Sequence, residues 1–174
     1  MNKHEIDRCF KKMQTGDQQA FAELYEGTRK GVFAFLYPYY GEQAATEDAV
    51  QNVYIRVKER ILQYRSGLDA RAWLLQIAKN AALNELRKRK RESAPGDDAL
   101  DRFAGSEGPE EGTAFEALNR ALKPDEREVV ILHVLWGYKH RETAALLGLP
   151  LGTVTSKYKT AIRKMREFLE EESV

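Results

Sequence analysis

Apolar residues recur at three- and four-residue spacing through most of the chain and almost nowhere at strict two-residue alternation, which predicts an all-α protein. Ile6, Cys9, Phe10 and Met13 mark a short first helix. Asp17, whose carboxylate suits an N-cap, opens a second that turns Phe21, Leu24, Tyr25, Val32, Phe35 and Leu36 inward and is expected to stop at Pro38. From about Ala45 to Tyr64 the positions Val50, Val53, Tyr54, Val57, Ile61 and Tyr64 form one stripe. The run Arg65, Ser66, Gly67, Leu68 breaks it, and a further helix capped near Asp69 carries Trp73, Leu74, Ile77, Ala78 and Ala81 on its inner side.

The periodicity lapses between Glu92 and Gly112, where glycine, proline and acids take over, and this predicts a flexible acidic linker at 92–112 between a first domain, 1–91, and a second, 113–174. In the second, Phe115, Leu118 and Leu122 share a helix face. Pro124 starts the next helix, with Asp125 and Glu126 at the positive end of its dipole and Val129, Leu132, Leu135 and Trp136 inward before Gly137. His140 to Leu147 then reads as a helix with small Ala144 at a close approach and Leu146 and Leu147 filling the angle to its neighbour. Gly148 ends it in a left-handed turn. A last helix follows Pro150 with Leu151, Val154, Tyr158, Ala161, Ile162 and Met165 on one side. Its other side carries Thr153, Thr155, Ser156, Lys157, Lys159, Thr160 and Arg163, donors suited to phosphates and base edges. This is the layout of a helix-turn-helix.

Composition sharpens that picture. In 174 residues, 43% hydrophobic and 32% charged, there is material for one moderate core or two small ones. The net charge is only +1, but it is unevenly placed. Arg87, Lys88, Arg89, Lys90 and Arg91 form one basic block, and Lys157, Lys159, Arg163, Lys164 and Arg166 a second, on either side of the acidic stretch. Two cationic faces imply two nucleic-acid contacts, because phosphate binding follows local charge. No apolar run is long enough to span a membrane and the charged start lacks a signal peptide's apolar middle, so a cytoplasmic location is expected. Cys9 is the only cysteine and is read as a core residue. His4, His133 and His140 show no metal-ligand spacing and no cofactor motif is found, so an enzyme or a small-molecule substrate is not expected.

These motifs resemble bacterial RNA polymerase sigma factors of the extracytoplasmic-function group, which keep only sigma regions 2 and 4. EDAVQNVYIRVKER, Glu47 to Arg60, is similar to the family helix that grips the polymerase clamp, and RAWLLQIAKNAALNELRKRKR, Arg71 to Arg91, to the promoter-melting helix. The stretch from Leu122 to Glu167 resembles region 4, with GTVTS, Gly152 to Ser156, as the start of the recognition helix. The resemblance implies that Asp48, Gln51 and Asn52, with Arg56 one turn on, contact the clamp; Asn52 stands where glutamate is common. It implies that Arg65, Ser66, Gly67 and Leu68, in a loop that captures a flipped base, and Lys79, Asn80, Asn84 and the block Arg87 to Arg91 meet the -10 element. Ala70 replaces an aromatic frequent at its position, and Trp73 leaves a core role, which its spacing favours, and a base-stacking role both open. Thr153, Thr155, Ser156, Lys157, Lys159, Thr160 and Arg163 would meet the -35 element, with Thr155 and Thr160 where arginine is often found.

The implied partners are core RNA polymerase through its clamp and flap, promoter DNA, and an anti-sigma factor, often membrane-anchored in the family. The competing reading is a two-domain helix-turn-helix regulator that does not bind core polymerase; copurification with core polymerase separates the two.

Overall fold

The computed structural model describes residues 1–92 and 117–171, and every regular element among them is helical. They form two compact units, divided within 93–116. Beyond Glu92 the expected linker lies outside the described residues, as does Phe115.

The first unit is a four-helix assembly of α1 (Lys3–Gln14), α2 (Gln18–Tyr40), α3 (Gln43–Arg60) and α4 (Ala70–Glu92). Local chemistry sets three of the four starts, those of α1, α2 and α4. Asn2 accepts from the backbone N–H groups of His4 and Glu5 while Glu5 accepts from that of Asn2, and Asp17 accepts from Gln19 at 2.9 Å and Ala20 at 3.2 Å. Asp69 does the same for α4, accepting from the N–H groups of Arg71 and Ala72. The stripe expected on α3 is buried along its whole length, from Val50 to Tyr64, and faces a core that includes Phe10, Leu24, Leu36 and Leu74. Cys9 is fully buried there, and burial pushes its thiol pKa up.

Two boundaries differ from expectation. Helix α2 runs through Pro38 to Tyr40 and ends at Gly41, which is left-handed at φ 75° and donates to Tyr37. Proline removes one backbone donor, and in the last turn that loss is outweighed by long-range contacts: the Tyr40 carbonyl accepts from Arg89 Nη2 at 2.6 Å, and the Tyr40 hydroxyl lies 3.4 Å from the Ala81 carbonyl. Helix α3 stops at Arg60 and tightens into a 3-10 turn, Ile61–Gln63, ahead of Tyr64.

In the second unit residues 117–120 are helical, followed by α5 (Pro124–Val130), which passes into a π turn (Ile131–Leu135), then α6 (His140–Leu147) and α7 (Leu151–Glu171). Arg127, 4% exposed, donates to the carbonyls of Leu118, Asn119 and Leu122 at 2.8–3.1 Å, thereby satisfying the end of the preceding helix. Nothing in the periodicity marks this arginine as a buried clasp. The π turn corrects another expectation: its wider winding, with Trp136 N–H bonded to the Ile131 carbonyl, advances the helix past the inward stripe, so Leu135 is exposed while Leu132 and Trp136 are buried.

Val129, Ala144 and Val154 meet at the crossing of α5, α6 and α7, with Leu147, Leu149 and Tyr158 packed around them. Gly148, at φ 66°, makes the turn between α6 and α7. Leu146 and Leu151, expected inside, are exposed, because Leu147 and Leu149 already fill the angle. Beside this crossing the rings of His133, His140 and Tyr158 form a triangle with centroids 4.6–4.8 Å apart. His133 Nδ1 donates to the Tyr138 carbonyl at 2.7 Å, whereas His140 Nε2 is buried without a hydrogen-bond partner.

Desolvation, and next the neighbouring His133, lower the His140 pKa below its ordinary 6.5. Between the lowered folded value and the unfolded value, the unfolded chain binds more protons, so stability rises with pH in that window and is lost as pH falls. The denaturation midpoint of this unit, followed by Trp136 fluorescence in a Trp73→Phe background, is expected to drop as pH is lowered from about 7 to about 5, with His140→Gln flattening the slope below roughly 6.5. A midpoint that holds or rises with acid overturns the assignment.

Candidate nucleic-acid and partner interfaces

On α3 the buried stripe leaves Asp48, Gln51 and Asn52 exposed on the opposite side, with Arg56 half-buried one turn on. Ile55, 52% exposed, falls on the same face by its spacing of three and four from Asn52 and Gln51. Its mark in the sequence is an isoleucine off the buried period of the helix. A polar face with one exposed branched apolar residue suits a protein partner better than it suits phosphates.

The loop before α4 is held at both ends. Tyr64 and Ala70 are buried, and Gln14 Nε2 donates to the carbonyls of Ile61 at 2.9 Å and Tyr64 at 2.8 Å. The Tyr64 hydroxyl donates to Asp7 at 2.6 Å; hydrogen bonds from Lys11 and then Tyr64 hold the Asp7 carboxyl below its usual pKa. Between these anchors Arg65, Ser66, Gly67 and Leu68 are all exposed, Gly67 at φ 93° and Leu68 at 61% exposure. An exposed leucine at the tip of a pinned loop offers an apolar surface to a flat ring. Ala70, 1% exposed, belongs to the packing behind the loop and does not line it. Trp73 is half-buried and packs edge-on against Phe10 and Tyr64, with centroids 5.1 and 5.5 Å away.

Along α4, Lys79, Asn84, Arg87, Lys88 and Arg91 are exposed, and Asn80 is half-buried with its side-chain oxygen accepting from Gln76 at 3.1 Å. Arg89 departs from this set. Its guanidinium pairs with Glu85 at 2.9 Å and caps the carboxyl end of α2 through the Tyr40 carbonyl, a favourable site for a cation. The basic block is thus divided into outward cations and one brace; the side chain of Lys90 is outside the described set.

On α7, Ser156, Lys159 and Arg163 are exposed at spacings of three and four, while Thr153, Thr155, Lys157 and Thr160 are half-buried. The Thr155 hydroxyl donates to the Leu151 carbonyl at 2.9 Å, and Arg163 pairs with Glu167 at 3.1 Å. Lys157 is held by Asp125, and Lys164 by both oxygens of Glu126 at 2.8 Å. The hydrogen bond from Lys157 is the main reason that the Asp125 carboxyl lies below its usual pKa. Asp125 and Glu126, at the positive end of the α5 dipole, therefore also reach α7, and the sheltered Glu126 contact ties the two helices together. Farther along, Ile162 and Met165, expected in the core, line with Leu169 an open groove of about 580 Å³.

Among the described residues no group of three His, Cys, Asp or Glu side chains is placed to hold a metal ion, and no helix is long and apolar enough to cross a membrane.

The two units match two family models, Sigma-70 region 2 over residues 24–92 and Sigma-70, region 4 over residues 113–165. The chain is 31% identical to the ECF RNA polymerase sigma factor SigE of Mycolicibacterium smegmatis over 91% of its own length, spanning 66% of that relative. It is 27% identical to SigW of Bacillus subtilis, with 96% of each chain covered. Among solved structures, the sigma factor RpoE of Bartonella quintana, in complex with the anti-sigma factor NepR, is 25% identical, with 86% of this chain and 96% of that one covered and a TM-score of 0.65. With both regions present in order, each on its own helical unit, the chain belongs to the sigma-70 family of RNA polymerase sigma factors, in the extracytoplasmic-function group.

Proposed function

We propose that this protein is an initiation specificity factor without chemistry of its own: it binds core RNA polymerase, reads the upstream promoter element through α7 and opens the downstream element with the loop 65–68 and α4. The observation that carries the reading is the pairing, in one chain, of a polar face on α3 that its own core leaves vacant with a recognition helix whose exposed stripe is Ser156, Lys159 and Arg163. Asp48, Gln51, Ile55 and Asn52 form the clamp contact, apolar at Ile55 and polar around it. Leu68 and the arginine beside the loop tip, Arg65, support the base-capture role, and Arg87, Lys88 and Arg91 the hold on the unwound strand. The protein acts in the cytoplasm, without a cofactor or small-molecule substrate. An anti-sigma factor is a further partner, supported by the solved complex of the related RpoE with NepR.

Core-polymerase binding decides between this reading and that of a free-standing regulator. Asp48→Arg with Gln51→Ala is expected to leave helix content and thermal unfolding nearly unchanged, since exposed substitutions move stability by less than about 0.5 kcal/mol. Affinity for core polymerase should fall at least about tenfold, or 1.4 kcal/mol. If the parent fails to bind core polymerase, the sigma-factor reading is wrong; if only the variant's loss is missing, the assignment of this face is wrong.

Alanine at Arg87, Lys88 and Arg91 is expected to spare binding to a duplex upstream element and to impair opening, read as lost permanganate reactivity of unpaired thymines. Normal opening by that variant would remove α4 from the melting machinery. Lys159→Ala is expected to weaken binding to promoter duplex and to lower the log–log salt slope by roughly 0.9, the share of one phosphate contact. An unchanged slope contradicts the DNA-facing placement of α7.

A further inference from the structure

Lys157 lies on the flank of the recognition helix, beside the exposed stripe of Ser156, Lys159 and Arg163, and its ammonium is held by a carboxylate from another element. Asp125, in the first turn of α5, accepts from Lys157 through Oδ2 and from the Glu126 N–H through Oδ1 at 3.0 Å. One residue on, Glu126 takes Lys164. The two pairs differ in setting. The Glu126 side chain is 9% exposed and bonds Lys164 through both oxygens, so it braces α5 on α7 from inside the packing. The Asp125 side chain is 53% exposed, and its pair with Lys157 sits where water and salt screen it. Such a pair adds little to docking two helices that Val129, Ala144 and Val154 and the sheltered Glu126 contact already hold. What it does change is the field beside the recognition helix. A carboxylate on Lys157 supplies the contact that a DNA phosphate would make, and it repels a phosphate that approaches the same ammonium.

We propose that Asp125 is a specificity-determining residue: it withholds Lys157 from arbitrary DNA and yields it only to a phosphate that the exposed neighbours Ser156, Lys159 and Arg163 have brought into register. The inference rests on the reading of α7 as the DNA-facing helix. A duplex bound without base contacts slides, and at each position it meets a fixed negative charge and gains nothing from Lys157. A promoter duplex held by base-edge contacts keeps one phosphate beside the ammonium, where it competes with Asp125 for as long as the complex lasts. Asp125 thereby widens the gap between cognate and arbitrary DNA by weakening the wrong complex more than the right one.

The test uses the full chain, titrated by fluorescence anisotropy with a random-sequence duplex and with a promoter duplex chosen from transcripts that core polymerase initiates with this protein. Asp125→Asn is expected to bind the random duplex about three- to tenfold tighter, with a log–log salt slope steeper by up to roughly 0.9. Promoter affinity should rise less, so that discrimination falls. Asp125→Asn combined with Lys157→Ala should return to the parent affinity for the random duplex. Parent-like binding by Asp125→Asn, or a gain that survives Lys157→Ala, overturns the proposal. If Asp125→Asn unfolds at a lower temperature than the parent, Asp125→Ser is measured in its place and read by the same criteria. Failure of the underlying reading shows separately, as Lys159→Ala binding both duplexes like the parent.

Discussion

A helix in a domain this small buries one stripe and leaves the rest of its circumference to solvent, so what the chain can offer a partner follows from which residues that stripe takes. On α3 the core takes Val50, Val53, Tyr54 and Val57, each 5% exposed or less. Burial of each is worth about 1.5–3 kcal/mol, far more than any single surface contact, and this fixes the rotation of the helix about its axis. Asp48, Gln51, Asn52 and Ile55 point outward as a consequence. On α7 a thinner stripe of Val154, Tyr158 and Ala161 does the same for Ser156, Lys159 and Arg163. These outward residues need no interactions of their own to be presented.

The cations of this protein divide into two populations that composition cannot separate. Arg71, Arg89, Arg127 and Lys164 are turned to internal use: on Asp69, on the end of α2, on the carbonyls of Leu118, Asn119 and Leu122, and on Glu126. The Leu118 and Leu122 carbonyls that Arg127 meets are buried, where leaving such a group unpaired costs about 1–3 kcal/mol. Arg87, Lys88 and Lys159 remain exposed. Since the screened field of a polyanion reaches only about a Debye length, it is this second population that such a partner would meet, and the near-neutral total has little bearing on it. Lys157 lies between the two, paired but at the rim.

The loop before α4 shows a related division of labour. Its ends are immobilised by Gln14, Asp7 and the rings of Phe10, Tyr64 and Trp73, while its middle carries no buried side chain. Anchoring the ends lowers the conformational entropy that the tip would lose on holding a ligand. Trp73 contributes here from behind, through its edge contacts, and Ala70 by filling the space beneath.

The sequence by itself determined the helices, their order and most of their faces, because a period of three to four apolar residues has one interpretation and N-caps such as Asp17 and Asp69 act within a turn of themselves. It also determined the left-handed turn at Gly148, which an L side chain takes only at a cost, and the outward chemistry of Ser156 and Lys159. Tertiary structure decided the rest wherever the partner is remote in the chain. Pro38 ends no helix because Arg89 and the packing around Tyr40 hold the last turn. Leu135 leaves the core because the chain winds a π turn. Leu146 and Leu151 are displaced by Leu147 and Leu149, which compete for the same space. The pairing of Lys157 and Lys164 with Asp125 and Glu126 spans more than thirty residues, and no local rule reports which of several nearby lysines a carboxylate will reach. Periodicity reports which side of a helix is buried; only the packed neighbours decide which of its exposed charges are already taken.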